Sequence, residues 1–391
     1  MRAELLSLVG NSPFQGAALV VALLTLSLGP ATVLAQGSLT PPGAPAPTMK
    51  SLSQIEPRTP ITGGGAVTIS NSGSYYLATN ISVTAGNAIT INADNVTLDL
   101  NGFTVSSTEP SASGTGILLN GGRAHVHIFN GHILGYVTQS GGVYSGVGFG
   151  YGIYYTNGSP HNVRVSGVSV SGCLLDGMNL NNGNSTVVES CTVDTVGGAG
   201  IVAASVLQCA AYACGSYGID GTTVDNCFAY STGYIGLYGS VANNCHGSSD
   251  TSDGLDAVAS AANCRGYSGG DGQGVTAYTA INCYGFSSSG IGVSASFANN
   301  CFGTSSTGWG LSSNGAATGC EGFSTSGSLG LTGYIVQNSY GEADAAGSFG
   351  LQCEIASCSV GWSSGGTGLK AIIANSCQGS SLSVSYKYNM P

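Results

Sequence analysis

Cations are scarce in this 391-residue chain. Lys and Arg together number eight, and all charged residues make up 7% of the sequence. A chain with so few basic residues has no electrostatic footprint for nucleic-acid phosphates. It also has no polybasic patch for anionic lipid. The formal net charge of −10 comes from this shortage rather than from acidic runs. Walker loops and Cys-x-x-Cys pairs are absent, so phosphate cradles and paired-thiol redox chemistry find no support. Helical periodicity is missing from the body of the chain. No strict glycine triplet runs through it, which excludes collagen despite 64 glycines. The 42% hydrophobic content excludes a disordered low-complexity chain.

The N-terminus reads as an export signal. Arg2 opens it, Ala17–Leu28 is apolar except for Thr25 and Ser27, and Ala31-Thr32-Val33-Leu34-Ala35-Gln36 offers a cleavage site after Ala35. The apolar core is short for a membrane span of about 20 residues. No second apolar stretch follows, so the mature chain is expected to carry no membrane span. Residues 1–35 are assigned to the signal peptide. Residues 36–60 are assigned to a linker, an extended arm rich in Pro41, Pro42, Pro45, Pro47, Pro57 and Pro60. The expected location is outside the cytoplasm: extracellular, on the cell surface, or in the periplasm.

The body is a repeat. Cys191, Cys209, Cys227, Cys245, Cys264, Cys283, Cys301 and Cys320 recur at intervals of 18 or 19, followed by Ser339, Cys358 and Cys377. Asparagine precedes the rung at Asn226, Asn244, Asn263, Asn282, Asn300 and Asn338. A second ladder pairs glycine with an aliphatic residue, from Gly200-Ile201 through Gly292-Val293 to Gly368-Leu369. A unit this short cannot hold a βαβ crossover. It offers two or three short strands between Gly, Ser and Asn turns, and buries its apolar face only by stacking on its neighbours. The predicted fold is all-β, a single-stranded right-handed parallel β-helix, or β-solenoid, over 61–391. The right hand follows from the general handedness of parallel crossovers. Its coils are regular over 191–391. They are longer and irregular over 61–190, with insertions around 106–115, 138–150 and 181–184.

Gly73-Ser74-Tyr75-Tyr76-Leu77, Ala93-Asp94-Asn95-Val96-Thr97-Leu98-Asp99-Leu100-Asn101-Gly102 and the repeated Asn-Cys and Gly-Ile/Leu steps resemble secreted bacterial right-handed parallel β-helix proteins of the pectate-lyase-like superfold. The linker segment Leu39–Lys50 and the terminal Lys387-Tyr388-Asn389-Met390-Pro391 resemble an uncharacterised subgroup of them. The resemblance covers essentially the whole mature chain. It implies a fold that hosts lyases, hydrolases, adhesins and capsid spikes, so function must come from the site. Asn-Thr-Asp, Asp-Asp and Arg-Ile-Lys, marks of polygalacturonase-like hydrolases, do not occur here. A lyase of this superfold needs a base and calcium-holding carboxylates. Between Gln36 and Pro391 the only cations are Lys50, Arg58, Arg123, Arg164, Arg265, Lys370 and Lys387. An anionic polysaccharide would therefore find little to hold it.

Three residue groups are candidates for chemistry. Asp250, Asp253 and Asp256 lie on one coil and Asp271 on the corresponding turn of the next. They could bind Ca²⁺ or form a catalytic carboxylate pair, or they could simply be turn residues. Asp220 and Asp256 share a register two coils apart. In His125-Val126-His127 the two imidazoles share one strand face, a conceivable metal site with His132 nearby, or ordinary exposed polar positions. If the cysteine rung points inward, the residues one and three places later point outward. Those are Tyr212, Phe228, Tyr230, Tyr267, Tyr284, Phe286, Phe302, Phe323 and Tyr340. An exposed aromatic row suits sugar rings or a protein partner. The same residues could instead pack under loops. No cofactor is called for beyond the possible Ca²⁺.

A cysteine ladder in an interior row behaves as packing. Most of the thirteen thiols are expected to be free, with Cys209/Cys214 and Cys353/Cys358 as local disulfide candidates. The leading functional expectation is an exported, non-catalytic binding or structural module with affinity for a polysaccharide or a cell-surface component. The alternative is a polysaccharide lyase or glycoside hydrolase.

Overall fold

In a computed structural model of the chain, residues 56–183, 185–231 and 233–390 are described. The predicted signal peptide, and residues 36–55 of the predicted linker, lie outside the described residues. Arg58–Pro391 form one unit, a parallel β-solenoid of about 17 turns. Its first strand is Thr59–Ile61, which pairs in parallel with Tyr75–Leu77. No helix occurs among the described residues.

In the regular half each coil contributes a long strand and a short strand. The long strands run from Ile201–Leu207 through Leu237–Asn243 and Val293–Asn299 to Leu382–Tyr388. The short strands run from Thr192–Val196 through Phe228–Ser231 and Tyr284–Ser287 to Gln378–Gly379. Each strand pairs in parallel with its counterpart on the next coil, so equivalent residues stack about 4.8 Å apart. The coils shorten along the chain because two strands merge. Met178–Asn179 and Val187–Glu189 are separate strands, yet both pair with the single strand Ile201–Leu207.

The rung cysteines face inward and are nearly fully buried from Cys191 to Cys320. Their thiols donate to the carbonyl two residues back, as Cys245 does to Asn243 at 3.0 Å. The backbone N–H of one rung points at the sulfur of the next, Cys209 to Cys227 at 3.4 Å. Just before each rung the chain turns through the left-handed region, with φ near +50° at Asn226, Asn244, Asn263, Asn282, Asn300 and Asn338. Asparagine tolerates that conformation better than other residues with a Cβ, which explains the Asn-Cys pairs.

The ladder departs from expectation at one rung. Ser359, not Cys358, is the buried rung that follows Ser339, and the N–H of Ser339 donates to its hydroxyl at 3.3 Å. Cys358 takes the left-handed position at φ +49° and is exposed. Neither disulfide candidate forms, and no disulfide links any of the thirteen cysteines. Cys214 lies in a different column from Cys209, the one occupied by Ser231 on the next coil.

The interior is thin. From Ala211 on, the short strands carry Gly or Ala two places after the rung, and these press against the glycine ladder of the long sheet. A Cβ added at Gly285 would lie 1.9 Å from the Gly292 carbonyl oxygen. Four places after most rungs comes a buried serine, as at Ser249, Ser287, Ser305 and Ser324. The hydroxyl of Ser305 donates to Gly290 O at 2.8 Å and accepts from the Gly308 N–H at 2.9 Å. The same pair of bonds at Ser231, Ser249, Ser287 and Ser324 ties those turns to the turn of the coil before.

One excursion leaves the solenoid, where an insertion is predicted around 138–150. Tyr136–Ser140 and Val143–Val147 form an antiparallel hairpin closed by Gly141-Gly142, both at positive φ. Its Tyr144 hydroxyl donates to the Ala213 carbonyl at 2.9 Å, several coils along.

Candidate functional site: the outer face of the short sheet

The alternation of the short strands turns the residues one and three places after each rung outward. Two side-by-side columns result. One runs Phe228, His246, Arg265, Tyr284, Phe302, Glu321, Tyr340. The other runs Tyr230, Ser248, Tyr267, Phe286, Thr304, Phe323, Glu342, Trp362. Tyr212 stands on the preceding coil, in contact with Phe228 at 5.0 Å between ring centres. All nine aromatics of the predicted row are half-buried or exposed on this face, with Tyr212 at 45% and Tyr267 at 43%.

The rings contact one another along the stack. Tyr284 and Phe302 lie parallel at 5.3 Å, Tyr267 and Phe286 nearly parallel at 5.0 Å. Phe302, Phe323 and Tyr340 continue the row at 5.2 and 5.5 Å. Two further residues belong to the face. Trp362 is 48% exposed at the end of the second column. Arg265 lays its guanidinium over Tyr284, 4.8 Å from the ring centre. Trp362 escapes the sequence reading for one reason. Placing the rung at Cys358 rather than Ser359 shifts the register by a residue and turns Trp362 to the wrong face.

The second column lacks a ring at Ser248, Thr304 and Glu342, and at Ser248 a cleft of about 400 Å³ opens. Ser248 stands between Tyr230 and Tyr267 where an aromatic would continue the column. Phe228, His246, Arg265, Tyr284 and Phe286 complete its wall. His246 meets Phe228 edge to face at 5.1 Å, and burial, with Arg265 beside it, lowers its pKa. At the rim Tyr230 donates its hydroxyl to Asp250 Oδ2 at 2.8 Å. Burial and that bond push the Tyr230 phenol up to about 12.

The four aspartates are not brought to one point. Asp250 serves Tyr230 on the short-sheet side. Asp253 accepts from the Gln273 N–H at 2.7 Å and from the Thr276 hydroxyl at 3.3 Å. Asp256 stands in the long sheet next to Tyr238, whose other neighbour is Asp220. Burial, then the nearby Asp253 charge, pushes the Asp256 carboxyl up to about 6, and burial raises Asp220 as well. Asp271 is exposed on its turn.

His125 and His127 do share the outer face of their strand. His127 bonds Ser166 Oγ at 2.9 Å and stacks on Phe129, while His125 meets His161 edge to face. His132 bonds Ser169 at 2.6 Å. Among the described residues no group of three or more His, Cys, Asp or Glu is placed to hold a metal ion.

Gly266-Tyr267-Ser268-Gly269-Gly270 has the spacing of a nucleophile elbow, but Ser268 is fully buried in the serine column. His246-Gly247 is a His-Gly string like that of the polygalacturonase-like hydrolases, here without their other three.

A second set of exposed apolar residues lies on the long sheet, including Tyr278, Phe297 and Tyr334. Tyr278 and Tyr334 stand three places after the aliphatic residue of the Gly-aliphatic step and Phe297 four, and the sequence reading passed over them.

No protein-family model, curated protein or solved structure matches the chain.

Proposed function

We propose that this protein is an exported, non-catalytic β-solenoid that binds polysaccharide along the aromatic face of its short sheet, outside the cell or at its surface. The observation that carries this reading is the outward aromatic double column from Tyr212 to Trp362. A rigid sheet presents about one ring per coil with little side-chain entropy left to lose, and ring faces and edges pack well on the apolar faces of sugar rings. The resemblance to secreted β-helix proteins, several of which handle polysaccharides, points the same way. Retention of the purified protein on a panel of soluble and insoluble polysaccharides, with release of new reducing ends measured in parallel, tests the proposal. Retention without release supports it. Sustained release would make the protein an enzyme, and absence of retention would remove the binding role.

A hydrolase reading has one observation in its favour. Asp220 and Asp256 bracket Tyr238, both with raised pKa values. Two coils separate their α-carbons by about 9.6 Å. Inverting glycosidases hold their carboxyl groups about 6.5–9.5 Å apart. The reducing-end assay tests this reading as well.

A further inference from the structure

The cleft at one break in the aromatic column, over Ser248, suggests what the face recognises. We infer that the cleft over Ser248 is a subsite for one sugar ring bearing an oxyanion, a carboxylate or a sulfate. This inference rests on the saccharide-binding reading above and narrows it.

The geometry has three parts. First, the missing ring leaves a gap of fitting size. Tyr230 and Tyr267 sit on coils two steps apart, about 9.6 Å. After each ring takes its contact radius, about 6 Å remains, the thickness of one saturated ring rather than a stack of two. Phe286 covers one side of Tyr267 at 5.0 Å, and the side toward Ser248 has no ring on it. Second, the floor is polar but uncommitted. Ser248 is half-buried, and its hydroxyl has no hydrogen-bond partner among the described residues.

Third, the charge is complementary. Arg265 and Lys370 are the only cations between Cys191 and Cys377. Arg265 stands at this cleft. Its guanidinium carbon sits over Tyr284, 4.8 Å from the ring centre, and a guanidinium held against a ring still offers N–H donors to an oxyanion. The Asp250 carboxylate at the rim is occupied by the Tyr230 hydroxyl. It sets an opposing charge that favours an oxyanion on the Arg265 side of the cleft. The general shortage of cations argues against anionic polymers along the face as a whole. It does not argue against one acidic unit at this one position.

Calorimetric titration with oligosaccharides of one backbone and length, in neutral, carboxylated and sulfated forms, tests the inference. The full mature protein is used. The wild type is expected to bind at least one acidic form about tenfold more tightly than the neutral form, and the form that responds names the oxyanion. Arg265→Gln is expected to cost that acidic form about tenfold. Ser248→Tyr continues the aromatic stack and should fold. It is expected to abolish the acidic preference by filling the cleft. Equal affinity for neutral and acidic forms in the wild type would overturn the inference while leaving the binding face standing. So would an acidic preference undiminished in both variants. Failure to bind any of the three forms would overturn the binding face together with the inference.

Discussion

A Cβ placed on Gly266 would lie 1.8 Å from the carbonyl oxygen of Gly274 on the same coil. The short and long sheets touch there through bare backbone. The high glycine content is therefore a packing requirement, and the fold tolerates no methyl group at that point. Gly266→Ala is expected to destabilise the solenoid by about 3 kcal/mol or more, through overpacking against a backbone that cannot move aside. Gly63 is the control, because a Cβ added there would meet nothing within 4 Å and its φ is not positive. Gly63→Ala should leave thermal unfolding, followed by circular dichroism, within a degree or two of wild type.

The cysteine row acts as packing, so its thiols should be shielded. Beside the row, burial pushes Cys173 up to about 12 and raises Cys214, which leaves them protonated and unreactive. Cys358 alone is exposed, and Cys353 is half-buried with its thiol pushed up to about 12. A chromogenic thiol reagent should titrate one fast thiol in the native protein and thirteen in denaturant. Cys358→Ser should remove the fast phase. Three or more fast native thiols would contradict the buried row.

Serine already fills two rungs of that row, at Ser339 and Ser359. Cys301→Ser is therefore expected to fold and to lose no more than about 1.5 kcal/mol by chemical denaturation. Cys301→Leu, too large for the thin interior, should cost more.

Asp256 carries a pH dependence. Its carboxyl is raised in the folded state to about 6, from 3.8, chiefly by burial. The folded state holds the proton more tightly than the unfolded state does. That preference favours folding at low pH and is lost as pH rises through 6. Asp256→Asn should therefore raise the unfolding temperature at pH 8 and change it little at pH 3.5. Solvent screening of this half-buried group keeps the gain below about 1 kcal/mol. A larger gain at pH 3.5 than at pH 8 would contradict the assignment.

Much of the fold was readable because the solenoid repeats its chemistry every coil. The inward cysteine, the left-handed asparagine before it and the close-packed glycine after it all recur in register, as Asn244, Cys245 and Gly247 show. The outward aromatic columns followed by simple alternation. The reading slipped where the repeat was imperfect. Cys358 looks like a rung by identity, but the following Ser359 is the one buried, and Trp362 was lost with it. The cleft was invisible for a different reason. It depends on Ser248 standing in a column of rings, and a missing side chain leaves no motif. Nor does spacing reveal that Tyr144 reaches across to Ala213, because the hairpin that carries it lies outside the repeat.

The central claim is that the stacked rings of the short sheet hold saccharide. The most direct measurement is calorimetric titration of an oligosaccharide retained by the wild type, repeated with the triple variant Tyr284→Ala, Phe302→Ala and Tyr340→Ala, with unfolding temperatures measured alongside. These three half-buried side chains stand on the outer face, so the fold should survive their loss. The account predicts at least a hundredfold loss of affinity in a folded variant. Undiminished binding by that variant would contradict it.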